Sequence, residues 1–522
     1  CQNCGFQQVR INGLDGPYTQ ILIDSRPVFS ALSGVYGLEQ IPASMIERVE
    51  VMRGGGSALF GSSAIAGTIN IITKEPLRNS GQLSHTITSL GGSSSFDNNT
   101  SLNASLVTDD HRAGLYIFGQ NRYRSGYDYD GDGFTELPKL KNQTVGFRSY
   151  LKTSTYSKLT FEYHHMQEFR RGGDMLNRPP HEAHIAEQLQ HSIDGGSLKF
   201  DYFSPDEKNR LSVFASAANT DRDSYYGPGN DPLKAYGKTT DLTAMGGAQY
   251  VHTFDKCFFM PSDLTAGLEY NRDRLKDNMW GYNRHTDQTV NIYSAFLQNE
   301  WKNDRWGILI GGRLDKHNMV DNVIFSPRAN LRFNPTQNIN LRLSYSSGFR
   351  APQAFDEDMH IENVGGTVAM IERAKDLKEE KSQSFSVSAD MYHRFGAFQT
   401  NLLIEGFYTR LTDVFVLGEP YDRGDGILVK TRSNGPGAKV MGLTLEGKVA
   451  YLSILQIQAG LTLQRSRYDE PHKWHDDAQA DKKIFRTPDT YGYFTATCTP
   501  IKPLSIALSG TYTGRMLVQR MD

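Results

Sequence analysis

From about residue 80 to residue 522, apolar and polar positions of this chain alternate with a period of two. Ile339-Asn340-Leu341-Arg342-Leu343-Ser344-Tyr345-Ser346 does so without a break, as do Leu159 to His164, Leu455 to Gln458 and Leu461 to Gln464. That period places alternate side chains on opposite faces of a strand. Arg342 and Glu162 fall on the polar face, where they would be costly against lipid but are easily held in a wet interior. The connections alternate as well. Short ones fall at 108–111, 205–209, 302–305 and 334–337, and long ones near 124–141, 169–193, 219–238, 273–288, 349–381, 412–434 and 467–486. Short turns at one rim and long loops at the other predict an all-β transmembrane barrel.

The alternation yields about 19 antiparallel strands. Bacterial barrels have even counts and plugged lumens go with about 22, so three further strands are expected past residue 522. The chain opens inside a motif and stops at Met521-Asp522, so it reads as a fragment lacking both termini.

Residues 1–76 have a different texture. Val9 to Gly13 and Gln20 to Asp24 read as short strands, Ser33 to Gln40 as a connection or short helix, and Ala43 to Ile46 as a helical turn. Two β-branched segments, Ile46 to Val51 and Thr68 to Thr73, flank a Gly/Ser/Ala-rich connection containing Arg53. This is a small α+β unit ahead of the barrel of residues 77–522, sized to sit inside the lumen as a plug.

Composition changes the picture little. No run of about 18 apolar residues is present, so a transmembrane helix is not expected. A mean hydropathy of −0.50 with 26 Tyr, 27 Phe and 49 Gly suits a barrel whose lumen-facing and lipid-facing residues alternate. The net charge of −2 argues against a nucleic-acid partner. Four cysteines are too few for a disulfide scaffold; Cys1 and Cys4 suit a local periplasmic disulfide better than a zinc site. No G-x-S-x-G, H-E-x-x-H or Walker motif occurs, so an enzyme is not expected.

Several motifs in one order resemble the plug domain of TonB-dependent outer-membrane receptors. They are Arg10-Ile11-Asn12-Gly13, Ile23-Asp24-Ser25-Arg26-Pro27, Ile41-Pro42, Ile46 to Gly54, Leu59-Phe60-Gly61 and Gly67 to Ile72. The opening Cys-Gln-Asn-Cys-Gly-Phe resembles the Bacteroidetes variant. Gly348 to Pro352, Ala374 to Glu380 and Met441 to Gly447 resemble barrel motifs of the same family, although Asn-Pro and a second Pro are missing from the middle one.

The resemblance implies active import of a scarce metal chelate (ferric siderophore, haem or cobalamin), driven by a TonB-ExbB-ExbD complex. The alternative is a passive channel or structural barrel, for which a plug would have no use. No resident cofactor is required. The resemblance also implies plug arginines held by barrel glutamates, here Arg10 and Arg53 opposite Glu380 and Glu446.

Candidate ligand chemistry lies in the long loops. Asp128-Tyr129-Asp130-Gly131-Asp132-Gly133 matches the first six positions of a calcium loop, but position twelve is Lys139, so a tight Asx/Gly turn is the competing reading. His164, His165, His181, His184 and His191 cluster in sequence with Met166 and Met175; a short helix after Pro179-Pro180 would set His181 and His184 one turn apart, in reach of copper, zinc or haem iron. His360, between Arg350 and Glu380, occupies a position where haem receptors resembling this family often carry a histidine. Arg350, Trp280 and Tyr282, with Tyr225-Tyr226, could cradle a flat or anionic ligand. The same loops could instead form an aromatic girdle against outer-membrane lipid or a seat for a surface lipoprotein.

Overall fold

The computed structural model describes residues 9–14, 16–27, 43–53, 61, 64–228, 235–361, 369–473 and 479–518. The expectations for Cys1 and Cys4, Ser33 to Gln40, Ile41-Pro42 and most of the Gly54 to Ser63 connection lie outside these residues. No described helix is long and apolar enough to cross a membrane.

The N-terminal unit is a four-stranded sheet of β1 (Thr19–Ile23), β2 (Arg26–Pro27), β3 (Ile46–Arg53) and β4 (Gly67–Thr73), ordered β2-β1-β4-β3. β1 and β4 run parallel, the other pairs antiparallel. β4 lies between two strands and is buried on both faces, whereas β3 is an edge and mostly exposed. Asp24 and Ser25 link β1 to β2 with φ of +49° and +66°, the left-handed pair that a two-residue type I′ hairpin requires. Residues 10–14 form a tight turn closed by a bridge between Ile11 and Leu14, not the expected strand. Asn12 and Gly13 both take positive φ there, and neither extends a ladder.

Twenty strands follow one another round a barrel. One, Asp481–Lys483, is a three-residue extension beside Leu455–His472, leaving nineteen long strands among the described residues. At the seam where Leu504–Thr513 meets Ser80–Ser89, both strands are exposed along nearly their whole length. Leu83, Leu268, Val387 and Leu463 are among the large apolar side chains on the outer face, as a lipid-facing wall demands.

The expected long loops are shorter than the sequence suggests. Ile185–Phe203, Asn209–Pro228, Tyr236–Cys257, Met260–Met279 and Arg284–Lys302 run for 19 to 22 residues. About 9–11 residues cross a membrane, so these strands continue well past the bilayer as paired ribbons. Residues 219–228 and 273–279, expected as loop, are therefore strand. Their polar side chains obscured the alternation because both faces of the ribbon are polar where it leaves the lipid.

A further small sheet caps the long-loop rim. Ala369–Arg373 runs parallel to Leu428–Asn434, which pairs in turn with Phe415–Leu417 and Tyr421–Asp422. Its Met370 joins Leu189, Tyr225, Tyr226, Met279, Tyr282 and Ile427 in an apolar cluster at that end.

Candidate functional site: the plug and its seat in the barrel

The N-terminal unit meets the wall through a dry seam on one side. Ile11, Leu14, Tyr18, Ile65, Ile69 and Ile71 pack with Phe407, Leu411, Val440, Tyr468 and Ile484 of the barrel. Gly13 lies close against the wall: a Cβ there would stand 2.4 Å from the Ser466 hydroxyl, which itself donates to the Gly13 carbonyl at 3.3 Å. This turn thus needs both the φ of +69° and the absence of a side chain.

Three of the polar contacts that fasten the unit reach ionisable side chains of the wall. First, Arg53, at the end of β3, forms an ion pair with Glu446 and lies 3.6 Å from Glu405. The two glutamates project inward from adjacent strands, Phe398–Thr412 and Ala438–Tyr451, with the wall registered Leu403 to Glu446 and Glu405 to Thr444. Burial disfavours the Arg53 charge, but Glu446 and then Glu405 outweigh it and raise its pKa. Gly67 faces Arg53 in the β3–β4 ladder, and a Cβ there would sit 2.3 Å from the Met52 carbonyl. Gly67→Ala should therefore push the end of β3 off register, costing about 1–3 kcal/mol and weakening the Arg53 contact; hydrogen exchange of β3 and β4 amides would show faster opening.

Second, Tyr18 donates a 2.6 Å hydrogen bond to Glu380, which is fully buried. Burial, reinforced by the Glu380 charge, pushes the Tyr18 phenol well above its ordinary pKa, so it keeps the proton it donates. Arg350, paired with Glu380 across the strands, is buried against the rings of Phe355, Phe415 and Tyr18, at 4.2, 5.3 and 5.9 Å.

Third, Asp24 accepts from the Thr73 backbone at 2.9 Å and from its hydroxyl at 2.6 Å, and pairs with Arg148 of the wall at 2.6 Å. Arg148 also reaches Glu162 at 2.9 Å and Glu75 at 3.3 Å. On the same flank the Arg26 guanidinium lies 4.6 Å from the Phe214 ring centre. Tyr116 adds a 2.6 Å bond to the Ser44 carbonyl.

The structure brings together only part of the expected set. Arg53 meets Glu446, whereas the plug side chain that reaches Glu380 is Tyr18. Arg10 donates to the carbonyls of Phe485 and Arg486 at 2.9 and 3.2 Å, because the tight turn after it aims the guanidinium at the long-loop end of the wall. Glu405, Asp24 and Arg148 were missed. Asp24 lay inside a quoted motif, but its role is set by Arg148, 124 residues away. Glu405 carried the inward parity of its strand but no motif.

The loop candidates are mostly committed to one another. Pro180–Glu182 is a single 3-10 turn that ends at Ala183, so His181 and His184 do not share a helical face. His181 Nδ1 lies 2.9 Å from the Tyr236 hydroxyl and His184 Nδ1 2.6 Å from Asp174. Burial opposes the Asp174 charge, but the bonds from His184 and the Ile185 amide hold its pKa below the usual range. His360 lies 3.6 Å from Glu187 and packs edge-on to Tyr226 at 5.1 Å. Tyr282 is buried and donates to the Tyr226 carbonyl at 2.7 Å; Trp280 is 56% exposed. Tyr225 and Tyr226 are buried in the rim cluster and so do not line an open surface. A groove of about 640 Å³ does open at this rim, lined by Arg284, His285, Arg373 and Lys375 among others.

Asp128, Asp130, Asp132 and Glu136 bring carboxylate oxygens within 4.8 Å of one another. Glu136 stands at position nine of the calcium-loop pattern and closes the stretch that resembles it. The same carboxylates bind their own backbone: Asp128 accepts from Gly131 at 2.7 Å and Gly133 at 2.9 Å, and Asp132 from Phe134 at 2.8 Å. Asp128→Ala should loosen this turn by about 1 kcal/mol, seen as faster proteolysis within 125–138 with the barrel intact.

Comparison with known proteins agrees with this architecture. Residues 68–516 match the family model described as TonB dependent receptor-like, beta-barrel, and residues 1–68 match the TonB-dependent Receptor Plug Domain. The vitamin B12 transporter BtuB of Vibrio vulnificus is 23% identical over 365 residues, covering 67% of this chain and 54% of that protein. An iron-regulated outer membrane virulence protein of Vibrio cholerae is 27% identical over 366 residues, covering 66% and 51%. The chain thus spans about half the length of these curated relatives. Among solved structures, the siderophore receptor PirA from Acinetobacter baumannii superposes with a TM-score of 0.79 at 17% identity, covering 98% of this chain and 80% of that one. A ferric enterobactin receptor, PfeA, in complex with BCV-L6 gives 0.79 at 18% identity, with 98% and 81% covered. A plug sheet fastened inside a long-looped β-barrel, matched along nearly its whole length, places this outer-membrane chain in the TonB-dependent receptor family.

Proposed function

We propose that this chain serves the active import of a scarce metal chelate, a ferric siderophore, haem or cobalamin, across the outer membrane. The observation that carries the reading is the fastening of the plug: Arg53, Tyr18 and Asp24 each engage the wall through a different set of strands. Charges held inside a protein-filled lumen cost several kcal/mol when one partner is withdrawn. A lumen stopped this firmly passes little by diffusion, so opening requires work from outside the molecule. The TonB-ExbB-ExbD complex is the source that the family implies, and it would act by pulling on the plug. A passive channel has no use for such a stopper. The chain carries a ligand to the periplasm and transforms nothing.

The rim groove, whose wall holds Arg284, Arg373 and Lys375 together with Asp358 and Glu372, is where a chelate would first be held, with Arg373 and Lys375 as the cations for a negatively charged one. The test is uptake of labelled ferric catecholate, haem and cobalamin by cells making the full-length receptor, with and without TonB. At least one should enter only when TonB is present. Equal entry in both strains would favour the passive channel.

A further inference from the structure

The outer face of the barrel carries a furrow of about 770 Å³, backed by Phe407 and Gln464, whose side chains turn to the plug on the other side of the wall. Its walls are Phe385, Val387, Tyr408, Met441, Leu443 and Leu463, with Asp489 at one end beside Arg465. Its floor is Gly406. This residue is paired with Val387 on one side and Leu443 on the other, and it faces outward, between Glu405 and Phe407, which face the lumen and the plug seam. A missing side chain in the middle of an apolar belt deepens a trough that crosses six neighbouring strands, from Leu343 through Val387, Gly406, Leu443 and Leu463 to Thr490.

Directly above this furrow, at the long-loop end, the outward positions change character. Arg410, Lys439, Arg467 and Lys483 pair in succession across four neighbouring strands. Arg465, one outward position lower and paired with Met441, lines the furrow itself. Two carboxylates lie among these cations. Asp469 holds Arg410 at 2.5 Å and Lys439 at 3.4 Å, and Asp489 holds Arg467 at 3.0 Å. Arg465 and Lys483 are both exposed on this outer face. Five cations against two acids leave this patch positive.

Depth along the wall agrees. The rings of Phe398 and Tyr451 pack at 4.7 Å, tilted by 39°, at the short-turn end, and Tyr408 lies ten residues further along the same strand. At about 3.3 Å per residue and a tilt of about 40°, that separation spans about 25 Å, the height of an apolar band between two aromatic girdles. The cationic row therefore stands just beyond the lipid core, level with headgroups on the outer side.

We propose that this furrow and the row above it form a specific site for one phosphorylated, multiply acylated lipid of the outer leaflet. An acyl chain would lie over Gly406, and the headgroup phosphate would sit between Arg465 and Lys483. An annular lipid needs no furrow and no row of charges; the conjunction of both at matching depths is what sets this face apart.

Native mass spectrometry of the purified receptor in detergent tests the site, using a phosphorylated glycolipid, its dephosphorylated form, and inorganic phosphate. One copy of the phosphorylated lipid should bind, at least about tenfold tighter than the dephosphorylated form. The double variant Arg465→Glu with Lys483→Glu should abolish that preference. Gly406→Leu should weaken both lipids alike; its Cβ would meet only Val387 at an ordinary 3.5 Å, so the barrel tolerates it. Heat-resistant migration on gels confirms that each variant is folded. Equal binding of the two lipids, an unchanged preference in the double variant, or competition by inorganic phosphate as effective as the lipid would overturn the proposal.

Discussion

Arg53→Glu is expected to abolish TonB-dependent uptake while leaving insertion into the outer membrane intact. The substitution replaces the cation that Glu446 and Glu405 share with a third carboxylate in the same partly buried pocket. Removing one partner of such a cluster costs about 3–5 kcal/mol when the pair is buried, and reversing the charge adds repulsion to the loss. The barrel strands around the site keep their ladders, because Glu405 and Glu446 belong to paired strands whose register does not involve the plug. The plug should therefore sit loosely in a sound barrel. Two measurements check this: uptake in energised cells should fall more than tenfold, and single-channel conductance in planar bilayers should rise as ions leak past the plug. Combining the change with Glu446→Arg should restore part of the uptake. Full uptake by the single variant would remove Arg53 from the gate.

Arg148→Ala is expected to produce the next largest effect, on the opposite flank. Arg148 reaches Asp24 of the plug and Glu162 and Glu75 together, so its removal leaves three carboxylates near one another without their shared cation. Asp24 and Glu162 are each about a quarter exposed (24% and 25%), so water softens the penalty to about 2 kcal/mol, the low end for truncating one member of such a pair. Asp24 also holds the Thr73 amide and hydroxyl, so the β1–β2 hairpin should loosen with it. Hydrogen exchange should report faster opening at Asp24 and Thr73 than at Ile69, which is packed in the dry seam. If uptake is unchanged while exchange rises, Arg148 seats the plug without governing passage. Arg148→Lys should keep a charge but lose the fork that serves Asp24 and Glu162 at once, and should fall between the two.

The two flanks differ in kind, and the sequence shows this only in part. Ile69 and Ile71 alternate in a recognisable plug motif, and their burial follows from the position of β4 between two strands. That they pack against Phe407 and Val440, more than 300 residues on, is not written in any local pattern. Arg53 was legible as a candidate because it closes a motif, and Glu446 because it sits in another. Glu405 was not, since the alternation that aims it inward aims dozens of other residues inward too. Tyr18 was overlooked for a similar reason: an aromatic residue after Gly-Pro reads as packing, and its hydroxyl matters only because Glu380 waits at 2.6 Å.

The loop histidines mark the boundary of such reading. Five of them within 28 residues suggested a shared ligand, yet His165 pairs with Asp194 across two strands, His184 with Asp174, and His181 with Tyr236. The long loops were overdrawn for a related reason: a ribbon that has left the membrane needs no apolar face, so its strands lose their signature while keeping their ladders.

By itself the sequence determined the barrel, about nineteen strands of it within the described residues, the two rims and, through its family motifs, the presence of a plug, because alternation and turn chemistry act between residues close in the chain. Only the tertiary structure decided which charges meet, which flank of the plug is dry and which is polar, and where the outer face opens a furrow beneath a row of cations. Those contacts join strands hundreds of residues apart. Register and closure place them together, and no local pattern encodes the sum of all the registers between.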